Sequence, residues 1–62
     1  MNKLEVKLAE AESKAWDNLG RYKFLMAGYH MAVWVSLNSL SDRRRPNPFR
    51  GLVDFARQRS AK

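Results

Sequence analysis

The chain has 62 residues, a formal net charge of +6, a mean hydropathy of −0.57 and no cysteine. That length allows one domain and a small core, burying only about 60% of the unfolded surface. Disulfides and thiolate zinc sites are excluded, and the remaining supplement for so short a scaffold is oligomerisation or a partner.

Residues 1–41 read as one long amphipathic helix. Asn2-Lys3-Leu4-Glu5 has the form of a capping box, Asn2 accepting from first-turn amides and Glu5 reaching back to the cap. Lys7–Glu10, Glu10–Lys14, Lys14–Asp17 and Asp17–Arg21 are opposite charges at helical spacing. Leu4, Leu8, Ala11, Ala15, Leu19, Tyr22, Met26, Tyr29, Val33, Leu37 and Leu40 follow at steps of three or four, ten steps over 36 residues. The mean of 3.6 is that of an undistorted α-helix. Gly20 interrupts the composition but not the register, and it leaves no evident linker for reversing the chain. The expectation is therefore a continuous helix over about 3–41.

Residues 42–47, Asp-Arg-Arg-Arg-Pro-Asn, form a basic turn. Pro46 moves Arg45 out of the α region. Asn47 followed by Pro48 is a helix start, an N-cap with proline at the first helical position. Phe49, Leu52, Val53 and Ala56 then recur at i, i+3, i+4 and i+7, with Arg50–Asp54 a possible ion pair. A short helix over about 48–60 is expected, antiparallel to the first, with a basic tail to residue 62. Its Phe49, Leu52, Val53 and Phe55 should meet Val33, Leu37, Leu40 and a tryptophan. The fold class is all-α, a helical hairpin in one small domain spanning 1–62, assembled as a dimer or higher bundle.

A short second helix covers only half of a long first one. The N-terminal half of the stripe is then left for a protein interface: Leu4, Leu8, Ala11, Ala15, Trp16, Leu19 and Tyr22. Trp16 stands where the second helix does not reach, whereas Tyr29 and Trp34 are expected in the core and His30 on its edge. Residues 24–41 are free of formal charge and reach the lower length limit of a bilayer span. Gly28, His30, Ser36, Asn38 and Ser39 interrupt them, and polar groups in hydrocarbon are costly, so burial in a helical bundle is expected instead.

The charge is uneven. Residues 1–19 hold three lysines against four acids, whereas residues 41–62 hold seven cations, six of them arginine, against Asp42 and Asp54. Arg43, Arg44, Arg45, Arg50, Arg57 and Arg59 form a candidate polyanion-binding set, because guanidinium suits bidentate contact with phosphate or carboxylate. Nucleic-acid contacts through such a set would go mainly to phosphate, carry little sequence information and weaken with salt. An anionic membrane surface is the other polyanion that fits.

Lys14-Ala-Trp-Asp-Asn-Leu-Gly-Arg-Tyr-Lys-Phe-Leu-Met-Ala-Gly-Tyr-His-Met-Ala-Val-Trp-Val-Ser-Leu-Asn-Ser-Leu40 resembles the small, largely helical proteins encoded by phages and prophages, in size, charge and aromatic-rich helix. The resemblance implies binding to a host or phage protein.

The functional expectation is a non-enzymatic helical binding protein without catalytic residues, cofactor, metal or small-molecule substrate. It would act in the cytoplasm, because the N-terminus lacks the form of a secretory signal. It would associate with itself or a protein partner through an aromatic-rich helix face. Sequence-nonspecific nucleic-acid binding, or peripheral membrane attachment through the Arg-rich end, is the alternative.

Overall fold

The computed structural model describes residues 3–41 and 44–60. It contains three helices: α1 (Lys3–Gly20), α2 (Phe24–Ser39) and α3 (Arg50–Ser60). Helices α1 and α2 pack against each other, and α3 packs against neither.

The expected continuous helix is therefore broken, and three residues suffice to reverse the chain. The Asn18 carbonyl accepts from the Lys23 amide at 2.8 Å and the Leu19 carbonyl from the Tyr22 amide at 3.1 Å. These are the paired 6→1 and 5→2 bonds of a Schellman motif, which satisfies the last carbonyls of α1. The residue that such a motif needs in the left-handed region is Tyr22, at φ 63°, rather than Gly20. A bulky residue there costs roughly 1–2 kcal/mol. The Asn18 amide also donates to the Lys14 carbonyl at 2.7 Å, adding to the closure.

Folding back changes which residues are buried. On α1 the seam is Leu8, Ala11 and Ala15, with Leu4 packed against it. On α2 it is Ala27 and Trp34, with Met31, Val33 and Leu37 partly buried beside them. Ala11, Ala15 and Ala27 put little more than a methyl group into the seam, which favours close approach of two helices. Of the extrapolated stripe beyond the turn, Val33 and Leu37 pack against the core, whereas Met26, Tyr29 and Leu40 are exposed. The buried side of α2 is turned by roughly a quarter turn from that stripe, because a left-handed residue in the turn resets the helical phase. Tyr29, expected in the core, is 61% exposed, whereas Trp34 is 3% exposed and His30 half-buried as anticipated.

Residues 44–49 run back along the hairpin as a strap. Asn38 accepts from the Arg45 amide and donates to the Arg45 carbonyl, both at 3.0 Å. One side chain thus occupies both backbone groups of Arg45, much as a neighbouring strand would. The Arg45 guanidinium reaches Glu5 at 3.2 Å, tying the strap to the start of α1. Asn2, the other member of the expected capping box, lies outside the described residues.

The strap ends in Phe49, only 2% exposed. Its ring lies 5.2 Å from Trp16 and 6.0 Å from Trp34, tilted on one and edge-on to the other. Burying such a ring stabilises by about 1.5–3 kcal/mol, and favourable ring geometry adds roughly 0.5–1.5 kcal/mol per pair. Trp16 is thus reached after all, by the residue before α3, and it remains partly exposed with its indole N–H donating to Glu12 at 3.2 Å.

Asn47 caps α3 as its sequence indicates, its side-chain oxygen accepting from the Phe49 amide at 2.8 Å. The Arg50–Asp54 pair is present at 3.8 Å and the Asp17–Arg21 pair at 3.5 Å. The expected docking of this helix along its predecessor is not observed. Every residue of α3 is exposed, Leu52, Val53 and Phe55 included. Phe49 alone carries the contact, since the strap places it on the tryptophans and α3 then leaves the hairpin.

Candidate functional site

Two uncovered surfaces follow from this arrangement. Neither is the N-terminal stripe from which the sequence suggested an interface.

Of the seven residues of that stripe, Leu8, Ala11 and Ala15 are buried in the α1–α2 seam, and Leu4 packs on its edge. Helix α2 of the same chain covers them, so a second chain has no access. Leu19 is half-buried, Trp16 is shared with Phe49, and Tyr22 is 81% exposed at the turn, its ring edge-on to Phe24 at 6.0 Å. Only Tyr22 and part of Trp16 remain accessible from this set.

The first uncovered surface is the outer side of α2. Residues 24–39 contain no Asp, Glu, Lys or Arg. Apolar side chains occur all round the helix, yet the described residues cover it only on the Ala27–Trp34 side. Phe24, Leu25 and Val35 face outward, Leu25 at 87% exposure, and Gly28, Ala32, Ser36 and Ser39 lie exposed among them. A helix that is apolar on all faces normally has neighbours on all faces. The sequence gives no phase with which to choose between these sides, and so the outer face could not be singled out from it. At about 1.5 Å per residue the face is roughly 24 Å long. No helix among the described residues is long and apolar enough to cross a membrane.

The second surface is α3 with the strap before it. The candidate polyanion set is dispersed. Arg45 is engaged by Glu5, Arg50 by Asp54, and Arg59 stands over the Phe55 ring with its guanidinium carbon 5.8 Å from the ring centre. Arg44 and Arg57 are exposed. Arg43 lies outside the described residues. The structure therefore gathers no single arginine cluster among the described residues. It displays Arg50, Arg57 and Arg59 on an exposed helix and uses Arg45 partly to hold the strap.

The groove between α1 and α2 is shallow and lined by Lys7, Glu10, Lys14, Tyr29, His30 and Val33, among others. His30 meets the edge of the Tyr29 ring at 5.1 Å, a packing arrangement. Among the described residues, no three His, Cys, Asp or Glu side chains gather as a metal-holding group. No side-chain nitrogen or oxygen among them is buried without a partner.

No protein family matches the chain, and neither a curated protein nor a solved structure does; what the two surfaces can do is argued from their own chemistry.

Proposed function

We propose that this is a non-enzymatic binding protein that acts as a self-associating helical module, two copies meeting through the outer face of α2. The carrying observation is that α2 is apolar on both sides while the described residues cover one. Charge supports the choice of a second copy. The face has no formal charge, so two copies of a +6 chain can meet there without placing cations against cations. The small core points the same way: the buried set is Leu8, Trp34, Phe49 and three alanines, little apolar volume for a chain of 62 residues. The exposed Phe24 ring and the Leu25 side chain give the face large apolar groups of the kind that fill interfaces.

Light scattering or sedimentation equilibrium tests the reading. The full chain should associate with concentration, and Leu25→Glu with Val35→Glu should leave a folded monomer. A wild-type chain that stays monomeric throughout the accessible concentration range overturns self-association. Assembly that survives the double substitution places the contact elsewhere and removes the role of α2.

A further inference from the structure

Helix α3 is held out from the hairpin on a firm base. Phe49 is wedged between Trp16 and Trp34, Asn47 caps the first turn, and Asn38 fixes the strap behind it. Beyond that base all eleven residues from Arg50 to Ser60 are exposed. At about 100° per residue, Leu52, Val53, Phe55 and Ala56 fall in one arc, with Arg50, Asp54, Arg57 and Gln58 opposite. Arg59 falls within the apolar arc, and its side chain reaches over Phe55 so that the guanidinium stands off the ring face. At 5.8 Å from the ring centre this is a cation–π contact, which places a cation within the apolar arc itself.

We infer that α3 is an interfacial helix that docks on an anionic lipid surface, with Leu52, Val53 and Phe55 entering the headgroup region and Arg50, Arg57 and Arg59 meeting lipid phosphates. The choice among polyanions follows from what each would leave unused. A nucleic acid would contact the arginines and leave the apolar arc in water. An apolar protein groove would cover the arc and give the arginines no partner. A second α3 meeting it through the apolar arc would bring Arg59 against Arg59 and leave Arg50 and Arg57 without a partner outside the helix. An anionic bilayer takes both faces at once, as a basic amphipathic helix requires. Charge complementarity extends along the chain, since residues 41–62 carry seven of its twelve cations. The inference concerns a surface separate from the α2 face and does not depend on self-association.

Co-sedimentation of the full chain with vesicles of phosphatidylcholine and phosphatidylglycerol, against phosphatidylcholine alone, tests it. Binding should require the anionic lipid, weaken as salt rises, and fall at least about tenfold for Leu52→Ser with Phe55→Ser, the loss expected from removing two apolar side chains from the interface. Arg57→Gln with Arg59→Gln should weaken it as well. All four positions are exposed, so thermal unfolding should be unchanged and is measured alongside. Val6→Ser, exposed on α1 and outside both surfaces, should leave vesicle binding intact. The inference is overturned if anionic vesicles do not bind the protein, if the Leu52/Phe55 variant binds them as tightly as wild type, or if Val6→Ser abolishes binding while that variant does not. Binding to duplex DNA without binding to vesicles would assign the arginines to nucleic acid and also overturn it.

Discussion

The α1–α2 hairpin covers one apolar side of each of its two helices, whereas the apolar side of α3 finds no cover on the hairpin. In the hairpin, small residues at Ala11, Ala15 and Ala27 permit close helix packing, and Trp34 and Phe49 fill the space at one side. In α3 the apolar residues are as regularly spaced, yet neither α1 nor α2 lies over them. Periodicity thus reports a helix and its apolar face, but not whether the covering partner belongs to the same chain. Intrinsic helicity alone is marginal for segments as short as α3, so the two regions should differ in how they melt and in what their substitutions do.

The largest effect should come from the aromatic junction. Trp34→Ala or Phe49→Ala should cost about 3–5 kcal/mol, enough to abolish cooperative unfolding in a chain this small; circular dichroism on heating reads it directly. Overpacking the seam comes next. Ala15→Leu forces three extra heavy atoms between α1 and α2 and should destabilise by roughly 1–3 kcal/mol, seen as a lower midpoint in urea. Asn38→Ala removes both hydrogen bonds to the Arg45 backbone, a loss of about 1–2 kcal/mol. Its sharper signature is faster amide exchange at Arg45, with α1 protection kept.

Two substitutions with small effects separate the regions most cleanly. Tyr22→Gly should raise the hairpin midpoint slightly, by up to about 1 kcal/mol, through relief of the left-handed backbone; an unchanged or lowered midpoint would show that the Tyr22–Phe24 contact outweighs the strain. Gly51→Ala meets nothing within 4 Å of the added methyl. It should increase the helicity of α3 by a few tenths to about 1 kcal/mol and leave the hairpin midpoint where it was. A hairpin midpoint that rose with it would show the two regions to be coupled beyond Phe49.

Several of these features were readable in the residues themselves. Asn47-Pro48 marked the start of α3, Trp34 was expected inside, and the Arg50–Asp54 pair formed at its expected spacing. The break after Gly20 was not, for a specific reason: the apolar spacing runs on at 3.6 through a turn whose left-handed residue is a tyrosine. Left-handed closure is normally signalled by glycine or asparagine, and here Gly20 has no positive φ. The strap was equally hidden. Asn38 and Arg45 meet through a side-chain amide and a backbone, a contact that leaves no period in the sequence. Missing these two features put the candidate interface on residues that α2 covers. The N-terminal stripe looked unpartnered only because α2 was read as its continuation.

Phe49 also bears on how the molecule can change over evolutionary time or at the bench. Because one ring joins α3 to the rest, the segment Asn47-Pro48-Phe49 is a socket into which other short helices can be spliced. Residues 50–60 can be rewritten without renegotiating the packing of α1 on α2.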